Sequence, residues 1–286
     1  MKNYLLIFLS VSLVLFCSCS EPSSKEKVRK TKQRSPPSTK GFHAGNAKQW
    51  LKQNDSSGSN SRKDIVLAVN RTDAANFSTM NSVIVPNDLS GDLEYYLPFP
   101  FRVSGIKEIN KIIFFSYPAQ AFAAYENGEL MYTGPVNMGR KKDPTPTGLF
   151  FANWKAAKTN STFNDEWELR WNVNIANKQG VGWHQYSLPG YPASHSCLRL
   201  QEKDARSLYK WADEWVLKDD QNITLRGTPV IIFGSYNFNG PKPWLQLVAN
   251  PAALNISDDE VEQITNPFIT DIMKWQDKRL AAGKNN

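Results

Sequence analysis

Short runs of apolar residues, some continuous and some alternating with polar residues, recur along the chain between residues 110 and 234. Such runs of three to nine residues, separated by Gly, Pro and Asn, are typical of β-strands. Asn127-Gly128 lies between two of them and predicts a two-residue hairpin turn. The pattern therefore predicts a mainly β fold, with strands in the runs at 111–115, 121–125, 130–132, 167–175, 181–186 and 227–234.

Helical spacing appears in two places after these runs begin. In residues 202–216, apolar residues recur every three or four positions, which predicts a helix directly after the segment 190–200. Ser257 and Glu260 form a capping-box pattern, and a helical stretch interrupted by Pro267 continues to about Gly283. Residues 237–286 are therefore predicted to be a C-terminal helical extension.

Residues 64–105 read as a small flanking α/β module. Two β-type runs, Ile65–Val69 and Ser82–Val85, enclose a short possible helix around Asp73–Phe77. The module precedes the main β region, which is placed at 106–236.

Residues 1–19 are predicted to be a signal peptide, because one lysine precedes an apolar run that ends in small residues. Cys19 follows this run and resembles the modified cysteine of a lipoprotein signal, with Cys17 as the alternative. We therefore expect an extracytoplasmic protein of the cell envelope that a lipid on Cys19 anchors to the membrane.

Residues 20–63 contain many Ser, Pro, Gly and Lys residues and few apolar ones, which predicts a flexible tether. The chain carries a net charge of +7. Residues 21–63 have an excess of eight positive charges and Lys2 adds one, so residues 64–286 carry −2. Behind a signal peptide we expect no nucleic acid partner. The basic segment suits an anionic membrane surface or wall polymer, or is a solvated linker with no specific partner.

The segment GYPASHSCLRL at 190–200 places His195, Cys197 and Arg199 at alternate positions. In an extended strand these three side chains share one face, whereas Ser196, Leu198 and Leu200 share the other. After removal of the signal, Cys197 is the only remaining thiol besides the lipidated cysteine. A lone thiol in an oxidising compartment suggests a nucleophile or a ligand.

A cysteine nucleophile reacts as its thiolate and needs a group that takes its proton. His195 lies on the same run as Cys197, whereas His184 lies on a separate run and can approach from a neighbouring strand. The carbonyl of Gln185 is a candidate to orient His184. The spacing H-x10-H-x-C matches no common structural zinc site, so we expect neither a metal nor a cofactor.

The sequence WHQYSLPGYPASHSCLRL resembles the active-site signature of the L,D-transpeptidase catalytic domain family (YkuD-like). The matching residues are Ser194, His195, Cys197, Leu198 and Arg199, with His184 in the place of the upstream histidine. The segments YENGEL, MGRKKDPTPTGLF and GTPVIIF support the resemblance, which covers residues 110–235. Ser196 and Gln185 stand where the family usually has glycine, which indicates a divergent member.

The resemblance implies a β-sandwich or barrel with a helix after the catalytic cysteine. It also implies acyl transfer on peptidoglycan stem peptides, with Cys197 as the nucleophile and His184 as the group that accepts and returns its proton. Backbone N–H groups near Ser196 and Cys197 would stabilise the oxyanion. Ser194, His195 and Arg199 would support the pocket or bind a substrate carboxylate, and Arg199 is alternatively a structural ion-pair partner.

The resemblance leaves the acyl acceptor open. An amine of a second stem peptide would give a cross-link, water would give an L,D-carboxypeptidase, and a protein lysine would give protein-to-wall tethering. A non-catalytic wall-binding lipoprotein that keeps the fold is the alternative of a different class.

Overall fold

The computed structural model describes residues 33–54, 60–161, 168–220 and 222–283. The predicted signal peptide, Cys19 and the first part of the tether lie outside these residues. Within the described ranges, no helix is long and apolar enough to cross a membrane.

The predicted tether ends earlier than residue 63, because residues 42–54 are folded. Strand β1 (Phe42–Gly45) is followed by helix α1 (Ala47–Asn54). Trp50 is buried, and its ring packs edge-on against Phe77 at 5.8 Å between ring centroids. Only Ala47 and Trp50 of this helix are buried. The rest of its sequence is mostly polar, so the composition predicted a tether rather than a helix.

The prediction of a strand at Ile65–Val69 is wrong, because these residues belong to helix α2 (Asn60–Val69). All five are buried, because two hydrophobic clusters pack against this part of the helix. The five residues are therefore all apolar, and the sequence shows no helical alternation of apolar and polar positions. Helix α3 (Ala74–Phe77) begins after Asp73, as the sequence indicates, and strand β2 (Val83–Pro86) pairs antiparallel with β1.

A nine-stranded sheet forms the centre of the molecule and confirms the mainly β fold. Its first eight strands in chain order are β3 (Ile112–Ser116), β4 (Ala121–Glu126), β5 (Glu129–Asn137), β6 (Gly148–Phe151), β7 (Lys155–Asn160), β8 (Glu168–Ala176), β9 (Val181–Gln185) and β10 (Leu198–Leu200). The predicted hairpin is present: Asn127 and Gly128 have φ angles of +50° and +76°, as the tight turn between β4 and β5 requires.

Helix α4 (Glu202–Trp211) follows β10, as predicted, and buries Ala205 and Leu208. It ends before Trp215, because the chain turns into strand β11 (Val216–Leu217), which pairs with β12 (Ile223–Leu225). Strand β13 (Pro229–Phe233) completes the central sheet, whose strand order is β6-β13-β3-β4-β5-β10-β9-β8-β7.

The C-terminal extension is helical, as predicted. In helix α5 (Asp258–Thr265) the Ser257 side chain accepts a hydrogen bond from the Glu260 N–H, and Pro267 separates it from helix α6 (Ile269–Gly283). Val261 and Ile272 share a hydrophobic core with Phe114 and Tyr125 of the sheet. The extension is therefore part of the same packed unit, and that unit spans Gln33–Asn286.

Candidate active site

Cys197 lies directly before β10, at the end of a loop rather than within a strand. Only Leu198–Leu200 are extended, and Ser196 has a left-handed backbone with φ of +75°. The predicted alternation over 194–200 is therefore wrong before Cys197. From Leu198 onward it holds, since Leu198 and Leu200 are fully buried in the core.

The structure brings Cys197, His184 and Arg199 to one face of the sheet. Strands β9 and β10 are parallel, with Arg199 opposite His184 and Leu198 opposite Trp183. Trp183 and Leu198 point into the core, so His184 and Arg199 point to the other face. A small pocket on that face is lined by Ser161, Leu169, His184, Tyr186, Ser194, His195, Cys197 and Arg199.

The His184 ring is held by a backbone carbonyl through its Nδ1 atom. Its side chain is buried, and Nδ1–H donates to the Gln185 carbonyl at 3.0 Å, the contact expected from the sequence. Burial lowers the pKa of His184 to about 4, and the nearby positive charge of Arg199 acts in the same direction. The imidazole is therefore neutral at pH 7, with the Nε2 lone pair available.

The thiol of Cys197 is also neutral in the resting site. Burial raises its pKa, and this effect outweighs the Gly182 backbone hydrogen bond and the charge of Arg199, which both favour the thiolate. Its Sγ lies 3.7 Å from the Gly180 carbonyl oxygen. The site thus holds a thiol and a neutral imidazole rather than a preformed ion pair.

His195 is held away from the role of base. A guanidinium nitrogen of Arg140 lies 2.7 Å from its Nε2, and because arginine only donates, Nε2 accepts this bond. Arg140 in turn is held by Asp143, whose carboxylate is 4.0 Å from His195 Nε2. The lone pair that would take a proton from Cys197 is therefore already engaged.

Arg199 is stacked on an aromatic ring rather than paired with an acid. Its guanidinium lies 4.5 Å from the ring centroid of Tyr186. Among the described residues, no carboxylate forms an ion pair with it.

Ser194 and Ser196 shape the loop before the thiol. The buried Ser194 hydroxyl donates to the Cys197 carbonyl at 2.5 Å, and the Ser194 backbone N–H donates to the Met138 carbonyl. Ser196 is tied to a second loop, since its carbonyl accepts from the Thr145 hydroxyl at 2.8 Å. In the described part of the chain the N–H groups of Ser196 and Cys197 donate to no backbone carbonyl, which suits them to an oxyanion.

Sequence reasoning missed the residues that hold the preceding loop. Asp73 accepts from the Leu188 N–H at 2.7 Å and also caps α3. Asn137 donates to the Arg71 carbonyl and accepts from the Gly190 N–H. The sequence indicates that Asp73 precedes a short helix, but it does not predict the hydrogen bond between Asp73 and Leu188, which are 115 residues apart.

In the described ranges, no group of three or more His, Cys, Asp or Glu side chains is placed to hold a metal ion. Residues 110–232 match the model of the YkuD family, described as the L,D-transpeptidase catalytic domain. This range contains His184, Cys197 and Arg199. No curated protein matched the chain.

Several solved structures are similar over part of the chain. An L,D-transpeptidase from Stackebrandtia nassauensis is 21% identical over 44% of this chain and 57% of its own, with a TM-score of 0.36. One from Mycobacterium smegmatis is 22% identical over 44% and 59%, and L,D-transpeptidase 1 of Mycobacterium tuberculosis is 21% identical over 44% and 62%, both with a TM-score of 0.34. The chain thus spans about three fifths of the length of these proteins.

Proposed function

We propose that this chain, whose residues 110–232 match the L,D-transpeptidase catalytic domain, is a cysteine acyltransferase acting on peptidoglycan stem peptides. One observation carries the proposal. Cys197 shares a pocket with His184, whose Nδ1–H is bound to the Gln185 carbonyl so that Nε2 remains as the proton acceptor. A nucleophile, a base and a group that orients the base are thereby present together.

The first step is general-base attack. As Cys197 Sγ bonds to the carbonyl carbon at the L-centre of a stem-peptide diamino acid, the thiol proton passes to His184 Nε2. The pKa of His184 is lowered and that of Cys197 is raised, so the proton moves during the attack rather than before it. The N–H groups of Ser196 and Cys197 stabilise the oxygen that becomes negative.

The second step releases the terminal D-amino acid. The C–N bond breaks, and the imidazolium of His184 returns its proton to the leaving amine, which leaves a thioester on Cys197. An incoming amine then attacks the thioester carbonyl and loses a proton to His184. The C–S bond breaks, and the His184 imidazolium gives this proton to the departing Cys197 sulfur, which restores the thiol. The cycle consumes one amide and forms another, so no oxidant or metal is required.

Arg199 is assigned the binding of a substrate carboxylate. It lines the pocket with Cys197, stacks on Tyr186, and no carboxylate of the described residues forms an ion pair with it. The released D-amino acid carries a carboxylate, which a guanidinium binds through two parallel hydrogen bonds. The alternative of a structural ion pair has no support among the described residues.

The test uses purified disaccharide-tetrapeptide fragments with wild-type protein and Cys197→Ala, and mass spectrometry of the products. A dimer that has lost one D-amino acid supports transpeptidation, and a tripeptide without a dimer supports the carboxypeptidase. Transfer to an added lysine-bearing protein supports tethering. Activity of Cys197→Ala within tenfold of wild type contradicts the covalent mechanism, and no product with wild-type protein favours the non-catalytic wall-binding alternative.

We also propose that the protein is a lipoprotein of the cell envelope, anchored through Cys19. The test is to fractionate cells that express Cys19→Ala, with Cys17→Ala as the matched control, and to wash the membranes with high salt. Release of only the Cys19 variant supports the anchor. If the Cys19 variant stays in the membrane fraction after the wash, lipid on Cys19 is not what holds it.

A further inference from the structure

Arg71 is a buried arginine outside the catalytic pocket. It follows α2, has a left-handed backbone with φ of +57°, and its side chain is only 1% exposed. Nε donates to the Ala119 carbonyl and Nη1 to the Ala68 carbonyl, both at 2.6 Å. The guanidinium also lies over the ring of Trp244, 5.7 Å from its centroid.

The charge of Arg71 has no acidic partner in the described part of the chain. The ion pairs there involve other residues, and its recorded hydrogen bonds go to neutral backbone carbonyls. Burial lowers the pKa of Arg71 to about 9, and no neighbouring charge contributes. A buried cation without an anion is costly, and pairing with an anion removes much of that cost.

Arg71 lines a cavity of about 150 Å³. The lining combines apolar and aromatic side chains, among them Phe42, Tyr95, Leu247 and Leu254, with polar side chains such as Asn255. Lys40 lies in the lining as a second cation and is exposed to solvent. A cavity of this size accommodates a molecule about as large as benzene.

We propose that this cavity binds a small organic carboxylate, with Arg71 as the anchoring cation. An arginine has five N–H donors, and the two recorded hydrogen bonds of Arg71 leave donors for a carboxylate. The apolar part of the lining suits a short hydrocarbon group on that carboxylate. No residue that lines this cavity also lines the Cys197 pocket, so the proposal is independent of the proposed function.

The experiment measures the thermal unfolding of the full mature chain with increasing butyrate, at constant ionic strength. Butyramide and 1-butanol are the uncharged probes, and inorganic phosphate is the anion without an apolar group. We expect a saturable rise in the unfolding temperature with butyrate alone, because only butyrate provides both groups. An equal rise with butyramide, or a rise with phosphate and none with butyrate, overturns the proposal.

Variants of the cavity lining locate the effect, with an exposed lysine outside the lining as the control. Ala252→Trp fills the rim of the cavity without replacing Arg71, and we expect it to abolish the response to butyrate. Lys40→Gln should weaken the response several-fold, whereas Lys107→Gln, an exposed lysine outside the lining, should leave it unchanged. A full response in Ala252→Trp contradicts the site. Arg71→Met should also abolish the response to butyrate, and Ala252→Trp keeps the test decisive if Arg71→Met fails to fold.

Discussion

His184 and His195 both line the pocket of Cys197, yet their ring nitrogens have different hydrogen-bond partners. His184 has its Nδ1 fixed by a carbonyl, and His195 has its Nε2 fixed by Arg140. A base needs a lone pair that faces the nucleophile, so the partner of each ring decides its role more than its distance in sequence.

We expect His184→Ala to reduce turnover by about 10²- to 10⁴-fold, the usual contribution of a general base. His195→Ala should cost far less. Because the pKa of His184 is lowered to about 4, its neutral form persists as the pH falls, and the acid limb of kcat/KM should lie near pH 4. A rate profile from pH 3.5 to 9, with circular dichroism as the folding control, measures both. A larger loss in His195→Ala would reverse the roles.

Ser196 occupies a left-handed conformation that glycine adopts without cost. Ser196→Gly should therefore raise the free energy of unfolding by about 1 kcal/mol. Ser78→Gly is the control, because Ser78 has a φ of −58° and glycine there should destabilise the protein. Urea denaturation measures both variants. A less stable Ser196→Gly protein would mean that the weak hydroxyl contact with the Asp143 carbonyl, at 3.3 Å, matters more than the strain.

Between elements, the loop 186–190 is held by helix α3 and by the segment that joins α2 to α3. Asp73 accepts from Leu188, Thr72 Oγ1 donates to the Leu188 carbonyl at 2.8 Å, and Asn76 donates to Ser187. The flanking module thereby fixes the path of the chain between His184 and Cys197.

Asp73→Ala should lower the free energy of unfolding by about 1–2 kcal/mol, because it removes a helix cap and leaves the Leu188 N–H without its acceptor. We also expect lower turnover at temperatures where the variant remains folded. Asp73→Asn keeps one oxygen acceptor and should recover much of the stability. Turnover of Asp73→Ala equal to that of wild type would show that the loop needs no such anchor.

Helix α4 carries Asp204 against β5. Although the residue is partly exposed, its Oδ2 is buried and forms no hydrogen bond among the described residues. Burial raises the pKa of Asp204 to about 7. The folded protein therefore binds this proton more tightly than the unfolded chain does, and between pH 3.8 and 7 its stability should fall as the pH rises.

Asp204→Asn should be more stable than wild type at pH 8 and lack this slope between pH 4 and 7. The free energy of unfolding should rise by about 4 kcal/mol at most, since each tenfold change in proton affinity corresponds to about 1.4 kcal/mol. Asp271→Asn, an exposed site on α6, is the control with the same change of charge. Urea unfolding at pH 5 and pH 8 decides the matter. An unchanged pH slope would place the cause in another group.

At the scale of the whole molecule, residues outside the family match complete the hydrophobic core. Ile256, Val261 and Ile272 pack with the sheet, and Trp244 packs with α2 and β2. Each such side chain contributes about 1.5–3 kcal/mol when it is buried. Their sum approaches the whole stability of a typical domain.

A chain that ends at residue 236 should therefore lose cooperative unfolding and bind hydrophobic dyes. Removal of residues 280–286 alone should be tolerated, because Leu280 is exposed. Calorimetry of the two truncated proteins distinguishes them. A cooperative transition in the shorter chain at the wild-type temperature would show that the catalytic domain is independent of its extension.

The sequence by itself determined the elements that depend on interactions between residues close together in the chain. The Asn127-Gly128 turn and the helix cap by Ser257 depend on the backbone preferences of a few adjacent residues. The strands, including the buried pair Leu198 and Leu200, depend on the alternation of apolar and polar residues within one segment. Residue type and spacing made Cys197 and the two histidines candidates, and the resemblance to the L,D-transpeptidase signature favoured His184 over His195.

Only the tertiary structure decided features that depend on distant partners. Ile65–Val69 is a helix because two clusters bury it on all sides, and residues 42–54 fold because Trp50 packs against Phe77. The hydrogen bond between Arg140 and His195 and the burial of Arg71 against the Ala119 carbonyl depend on contacts far apart in sequence. These contacts form only when segments that are distant in sequence pack together. The pattern of residues within one segment therefore does not predict them.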